Sequence, residues 1–300
     1  AFRGRVDLSA DYYIKNTDNL LLDITKAPSV GVTTSRENIG EVQNSGFELR
    51  LRTFPIQNKD WQWSLGLTYA YNKNKIKKIS NSLREQNEKN KADNGVAPLP
   101  IYEEGQSLTA LKVVPSAGID PVTGQEIFIK RDGTYTFVYD SNDKVIFGDT
   151  NPIGTGSINS YLTYKRFALS CSFLYSFGGS LYNETLATKV EGANPKYNAD
   201  ERVLNDRWKT PGTIAKYKRI DDTTTPYQTS RFVEKNNFLR MSSLSLSYEV
   251  PTTFIQKYGL KRMFLELLTN DLFYLSTAKR ERGLNYPYDR SFEFSVRFSL

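Results

Sequence analysis

The sequence predicts an all-β chain: an antiparallel transmembrane β-barrel of about eight strands with long extracellular loops. Three observations lead there. Apolar and polar residues alternate with period two in eight separate segments. The connections between those segments alternate long and short. Aromatic residues stand at the ends of the clearest segments, where interfacial girdles lie in membrane barrels.

Composition narrows the alternatives. The chain has 300 residues, of which 39% are hydrophobic and 13% aromatic, and its mean hydropathy is −0.52. The aromatic content argues against general disorder. The longest aliphatic run near the start is Leu20-Leu21-Leu22, far short of the roughly 18 residues of a membrane helix. Histidine is absent and Cys171 is the sole cysteine. That removes Ser-His-Asp and Cys-His catalysis, histidine metal motifs, intrachain disulfides and thiolate zinc clusters. No cofactor and no enzyme activity are expected. Forty Lys plus Arg against 33 Asp plus Glu give a charge of +7. The excess is too mild for a nucleic-acid footprint.

The strands follow in order. Val6, Leu8, Ala10, Tyr12 and Ile14 alternate with Asp7, Ser9, Asp11 and Tyr13. Phe47, Leu49 and Leu51 alternate with Glu48, Arg50 and Arg52. Trp61, Trp63, Leu65, Leu67, Tyr69 and Tyr71 form the third apolar face, and 157–164 is a weaker fourth strand. The fifth presents Phe167, Leu169, Cys171, Phe173, Tyr175 and Phe177; the sixth Leu244, Leu246 and Tyr248. The seventh runs about Met263 to Thr269, and the eighth presents Phe292, Phe294, Val296 and Phe298. The clearest strands measure about 9–11 residues, the length that crosses a bilayer when tilted. The expected links are long at 15–44, 72–156, 178–237 and 271–290, and short at 55–60, 165–166 and 249–261. Trp61, Tyr71, Tyr164, Phe167, Phe177 and Tyr248 are the expected girdle. An even strand number puts both chain ends on the short-turn side, the periplasm. Periodicity alone also allows a soluble β-sandwich or a complete eight-stranded barrel acting as an adhesin or passive pore.

Few motifs carry chemistry. Gly154-Thr155-Gly156 lacks the strand–helix setting of a dinucleotide turn. Asp140-Ser141-Asn142-Asp143 fails as a calcium loop, because Lys144 stands at the third ligand position. Glu103-Glu104 diverge in an extended chain, which spoils them as an acid/base pair. Cys171 lies on an apolar face and reads as a small hydrophobe. The basic run between Lys73 and Lys91 reads as a solvated loop, with contact to anionic lipid phosphates as the functional alternative. Loop aromatics Tyr102, Tyr135, Tyr139, Tyr182, Tyr197, Trp208 and Tyr217 are the candidate ligand contacts, with loop packing as their ordinary role.

Seven ordered segments resemble one family, the SusC/RagA-type TonB-linked outer-membrane transporters of Bacteroidota. They are Asn38-Ile39-Gly40 through Asn44-Ser45-Gly46-Phe47-Glu48; Ala117-Gly118-Ile119-Asp120-Pro121-Val122-Thr123-Gly124; and Asp149 to Gly156 with Asn159-Ser160 and Tyr164-Lys165. Further along come Phe177-Gly178-Gly179 with Tyr182-Asn183, and Arg207-Trp208 with Pro211-Gly212-Thr213. Phe238-Leu239-Arg240-Met241 with Leu244 to Tyr248 and Pro251, and Tyr286-Pro287 with Arg290-Ser291-Phe292, complete the set. The family's GxNLF stands changed as Thr269-Asn270-Asp271-Leu272-Phe273. The resemblance implies a C-terminal barrel portion over residues 1–300, without the plug and N-terminal domains that complete a plugged barrel of about 22 strands. Ala1-Phe2-Arg3-Gly4-Arg5 opens directly in alternation with no leader-like segment, so the chain is expected to be processed or a piece of a longer one. The implied function is TonB-dependent nutrient import at the cell outer membrane. The implied partners are a SusD-like surface lipoprotein acting as a lid, the TonB complex, outer-membrane lipid, and an oligosaccharide or peptide ligand.

Overall fold

The computed structural model describes residues 4–25, 34–194, 196–197, 199–282 and 289–300. In chain order the elements begin with β1 (Val6–Thr25), β2 (Thr34–Gln57), β3 (Trp61–Ile79) and α1 (Asn81–Ala92). Five short strands follow: β4 (Ala110–Val113), β5 (Ser116–Ile119), β6 (Glu126–Ile129), β7 (Tyr135–Thr136) and β8 (Val145–Asp149). Then come β9 (Gly154–Tyr164), β10 (Phe167–Tyr182), β11 (Val233–Glu249), α2 (Thr252–Ile255), β12 (Arg262–Asn270), β13 (Tyr274–Ser276) and β14 (Phe292–Ser299). The main sheet runs β1-β2-β3-β9-β10-β11-β12-β14, and all its neighbours are antiparallel. The eight expected strands are therefore these eight, in the expected order. Among the described residues β1 and β14 do not pair, so the sheet is an open wall.

Register turns the eight alternating patterns into one apolar surface. Leu8 faces Leu51, Leu51 faces Leu67, Leu67 faces Ile158, and Ile158 faces Phe173. A second row runs Trp63, Leu162, Leu169, Leu246, Leu267, Phe294. Many of these side chains are exposed, Leu8 at 64% and Phe294 at 66%, so no layer covers the face among the described residues. A sandwich would have buried it.

The belt has two aromatic edges. At the short-turn end Trp61, Tyr164, Phe167 and Tyr248 stand side by side on four strands. Trp61 stacks on Tyr164 at 4.1 Å, and Phe167 packs on Tyr248 at 4.7 Å. At the other edge Tyr12 faces Phe47, Phe47 faces Tyr71, and Tyr69 stacks on Phe177 at 6.3 Å. Trp61 and Tyr71 lie ten residues apart on β3, as do Phe167 and Phe177 on β10. At about 3.3 Å per residue and a tilt near 40°, that spacing spans about 25 Å, the height of an outer-membrane barrel's apolar band.

The opposite face is polar. Asp7, Asp11, Glu48, Arg50, Arg52, Glu293 and Arg297 all occupy its register positions. Arg297 donates to Glu266 at 2.6 Å across the β12–β14 pair.

Two glycines fix how strands meet. A Cβ on Gly156 would lie 1.9 Å from the Thr68 carbonyl oxygen and 2.6 Å from the Tyr175 hydroxyl. Tyr175 reaches over this glycine and donates to the Thr68 carbonyl at 2.7 Å. Gly156→Ala is expected to abolish the heat-modifiable folded form of the protein on electrophoresis. Gly66→Ala, whose Cβ meets only Asn159 at 3.8 Å, is expected to leave it. Gly40, at φ 133°, would place a Cβ 1.8 Å from the Lys78 carbonyl, which explains the glycine of its motif.

Three expectations change. The predicted link 15–44 is mostly strand, because β1 and β2 run 20 and 24 residues. Hydrophobic alternation ends where the belt ends, but polar cross-strand pairs continue the ladder: Gln43 donates to Asn16 at 2.9 Å, Asn38 to Asn19 at 2.6 Å, and Arg36 to Asp23 at 3.0 Å. Residues 26–33 of that link lie outside the described residues. The strands are likewise longer than the predicted 9–11 residues, β3 and β10 reaching 19 and 16. The basic run 73–91 is not a loop: it is the end of β3 and then α1, capped by Ser80, whose hydroxyl accepts from the Leu83 amide at 3.2 Å.

Candidate functional site

The long links fold at one end of the wall. Segment 80–153 carries α1 and the two small sheets β4-β8 and β5-β6-β7. Segment 183–232 carries one turn of π-helix, Leu186–Glu191, and irregular loops.

The two segments are joined by buried charge. Arg231 donates from Nε and Nη2 to the two Glu126 oxygens at 2.7 and 2.6 Å, and from Nη1 and Nη2 to the two Glu191 oxygens at 2.6 and 2.7 Å. The side chains are 9%, 3% and 0% exposed, so the bonds form in a water-poor setting. Burial works against the Arg231 charge, but its bonds to Glu126 and Glu191 together hold it above the ordinary arginine value. Arg207 is buried without a carboxylate bond. It donates to the carbonyls of Val203, Lys218, Arg219, Val190 and Glu191, and burial pulls its guanidinium below the ordinary value. Gln228 donates to the carbonyls of Gly95 at 2.8 Å and Ala97 at 3.1 Å, tying the start of the first segment to the end of the second.

Two of the family-like motifs meet directly. Asp120 accepts from the Thr123 hydroxyl at 2.6 Å and from the Thr123 amide at 3.1 Å, closing a turn that ends at Gly124 with φ 73°. The Thr123 hydroxyl bond is the main cause holding the Asp120 carboxyl below its usual range. Trp208 donates from Nε1 to the Pro121 carbonyl at 2.9 Å, and its ring fills the space above Gly124, where a Cβ would be 2.6 Å away. Gly212 donates to the same Pro121 carbonyl at 2.8 Å. Gly124→Ala should therefore expel Trp208 and speed proteolysis within 205–216 severalfold, while Val122→Ala, at an exposed neighbour, should not.

The candidate tyrosines separate. Trp208 and Tyr217 come together: the Trp208 amide donates to the Tyr217 carbonyl at 3.1 Å. Tyr217 lines a cleft of about 550 Å³ with Leu186, Arg202, Asp206, Lys216 and Lys279, and burial raises its hydroxyl pKa. Trp208 lines a neighbouring cleft of about 500 Å³ with Leu204, Arg219 and Ile220. Tyr139 stacks on Tyr227 at 4.3 Å, edge-on to Phe128, and burial chiefly raises its hydroxyl pKa. Tyr182 donates to the Val96 carbonyl at 2.8 Å and packs edge-on against Phe232. Tyr102 packs on Leu83 beside α1, and burial raises its hydroxyl pKa. Tyr135 and Tyr197 are exposed, at 70% and 75%.

The rejected motifs find ordinary places. Glu103 pairs with Lys112 and Glu104 with Arg84, on separate partners. Asp140 caps a short turn by accepting from the Asn142 amide. Among the described residues no group of three acidic or sulfur ligands converges for a metal. The altered 269–273 segment breaks between β12 and β13 at Asp271, which takes φ 52° and accepts from Arg280 and Arg282. Tyr286-Pro287 lie outside the described residues. Sequence reading missed Arg231, Glu126 and Glu191. They stand 105 and 40 residues apart, and no local spacing announces such a group.

An apolar-belted antiparallel wall, short turns at one end and an ordered dome at the other define a segment of an outer-membrane β-barrel. Residues 1–101, about a third of the chain, match the family described as TonB dependent receptor-like, beta-barrel. It is 29% identical over 285 residues to TonB-dependent receptor P3 of Formosa agariphila, covering 88% of this chain and 27% of that one. It is 25% identical over 256 residues to TonB-dependent receptor SusC of Bacteroides thetaiotaomicron, covering 82% of this chain and 24% of that one. The chain thus spans about a quarter of these curated relatives. The structure of the RagAB peptide transporter has the same fold, with a TM-score of 0.80 at 20% identity over 99% of this chain and 34% of that one.

Proposed function

We propose that this chain is the C-terminal part of the barrel of an energy-dependent importer of large nutrients, oligosaccharides or peptides. On this reading the plug and N-terminal domains belong to the remainder of the same protein. The wall supplies the channel lining, and the dome supplies the surface that meets the ligand and a SusD-like lipoprotein lid. The main support is the dome itself. Long loops tied by the Arg231 cluster form fixed clefts at the outward end, whereas a purely structural barrel has no need of them. The relatives named as receptors and the neighbour titled a peptide transporter support the same reading. Trp208 and Tyr217, at adjoining clefts, are the first choice for ligand or lid contact, and exposed Tyr135 the next; Tyr102, Tyr139 and Tyr182 pack the loops.

The test is deletion of the gene in its native host, followed by growth on a panel of glycans and peptides. Loss of growth on one class is expected, restored by the intact gene, and the same uptake should stop when a protonophore collapses the proton gradient. Uptake that persists without the gradient overturns energy coupling. Growth unchanged on every nutrient overturns import.

A further inference from the structure

The lysines at the end of β3 stand on a strand rather than in a loop, and the strand gives them a direction. Residues of β3 with odd numbers carry the apolar face, from Trp61 to Tyr71. Lys73 and Lys75 continue that face. Even-numbered Asn72, Asn74 and Ile76 turn the other way: Asn72 takes the Tyr13 hydroxyl, Asn74 holds Ser107 and Leu108, and Ile76 is buried at 2%.

Height can be read the same way. Tyr71 stands in the outer aromatic edge with Tyr12 and Phe47. Lys73 and Lys75 lie two and four residues beyond it, about 5 and 10 Å further along the membrane normal at about 3.3 Å per residue and a tilt near 40°. Lys73 therefore stands within the headgroup layer, since the polar regions add about 5–8 Å on each side of the hydrocarbon core, and Lys75 stands just beyond its outer boundary, from which a long lysine side chain reaches back into it. The neighbouring strands agree. Lys73 is registered with Ser45 and Ile14, and Lys75 with Gln43 and Asn16. The surface therefore changes within two rows from aromatic to hydroxyl, amide and ammonium groups. Lys73 and Lys75 are both exposed, and among the described residues neither forms an ion pair. The nearest acid by register is Glu41, opposite Lys78 one bulge further out.

We infer that Lys73 and Lys75, with Ser45, Gln43 and Asn16, form a binding site for the phosphorylated headgroup of an outer-leaflet glycolipid. The aromatic edge below receives the acyl–headgroup boundary, the ammonium groups meet the phosphate, and the amides and hydroxyl meet the sugar oxygens. The charge pattern fits an anionic lipid surface better than water: unpaired cations stand on the lipid-facing side of the wall, directly above its apolar belt.

The full-length receptor, extracted gently from outer membranes, tests this by native mass spectrometry and by reconstitution in nanodiscs. The probes are bis-phosphorylated lipid A and its fully dephosphorylated form. Lys73→Gln with Lys75→Gln is expected to lower retention of phosphorylated lipid A about thirtyfold, at about a factor of five per lysine. Lys73→Arg with Lys75→Arg should retain it. Retention of the dephosphorylated lipid should be weak and equal in all three proteins. Heat-modifiability checks that each variant folds, and nutrient uptake is scored separately, so failure here is distinguishable from failure of the import reading. Equal retention by the wild type and the glutamine variant, or retention indifferent to the phosphates, overturns the site. Loss of nutrient uptake with lipid retention unchanged also overturns it, and assigns the lysines to a soluble ligand.

Discussion

Leu244→Arg is expected to cost about 2–4 kcal/mol of barrel stability, the range for arginine at the lipid-facing midplane of an outer-membrane barrel. Ser245→Arg, one residue on, is expected to cost far less. The contrast follows from register. Leu244 faces Cys171 on one side and Thr269 on the other, four residues from the aromatic edge at Tyr248 and near the middle of the belt. Its side chain stands on the same face as Leu246 and Leu267. Ser245 faces Ser170 and Leu268 on the opposite face, where Glu266 and Arg297 already place charge. Urea unfolding of the protein in bilayers measures both changes. Equal penalties would reverse the assignment of lipid and lumen sides, and with it the belt.

Arg231→Met should have the next largest effect, confined to the dome. It leaves Glu126 and Glu191 buried together, two carboxylates without their shared cation. Removing one partner of a buried pair costs about 3–5 kcal/mol, because the remaining charge keeps its desolvation penalty. Limited proteolysis of whole cells should then cut within 183–232 at least tenfold faster, while the barrel keeps its heat-modifiable form. Adding Glu126→Leu and Glu191→Leu should recover much of the protection, as apolar replacement of a whole buried ionic group often does. If the triple variant is cut as fast as the single one, the cluster has a role other than offsetting its own charges.

The wall was legible in the sequence because each strand states its own register. Leu65, Leu67 and Tyr69 need no distant partner to announce an apolar face. Strand length was not legible. Above the belt, Asn16, Gln43, Asp23 and Arg36 sustain pairing through polar side chains, and nothing in their order alternates. The dome was least legible. Trp208 was singled out as an aromatic, but its hold on Gly124 depends on two segments more than 80 residues apart. Nothing around Arg231 in the sequence sets it apart from a surface arginine. Its burial is decided by β6 and the π-helical turn together, neither of which predicts the other.

The uneven spacing of the links has a consequence for assembly. β1 and β2 pair and lie close in sequence, β2 and β3 are joined by residues 58–60, β9 and β10 by Lys165-Arg166, and β11 and β12 by a short helical link. Each group can zip locally. The β3–β9 and β10–β11 seams must wait for about 75 and 50 intervening residues. Closing a loop costs more entropy as it lengthens, but only logarithmically, so the penalty is modest while the order it imposes is firm. The nascent wall is therefore expected to exist first as three separate ribbons. Its two late seams bracket β9–β10, the ribbon that carries Gly156 and Tyr175, so the close approach of Gly156 to the Thr68 carbonyl forms only when the β3–β9 seam closes.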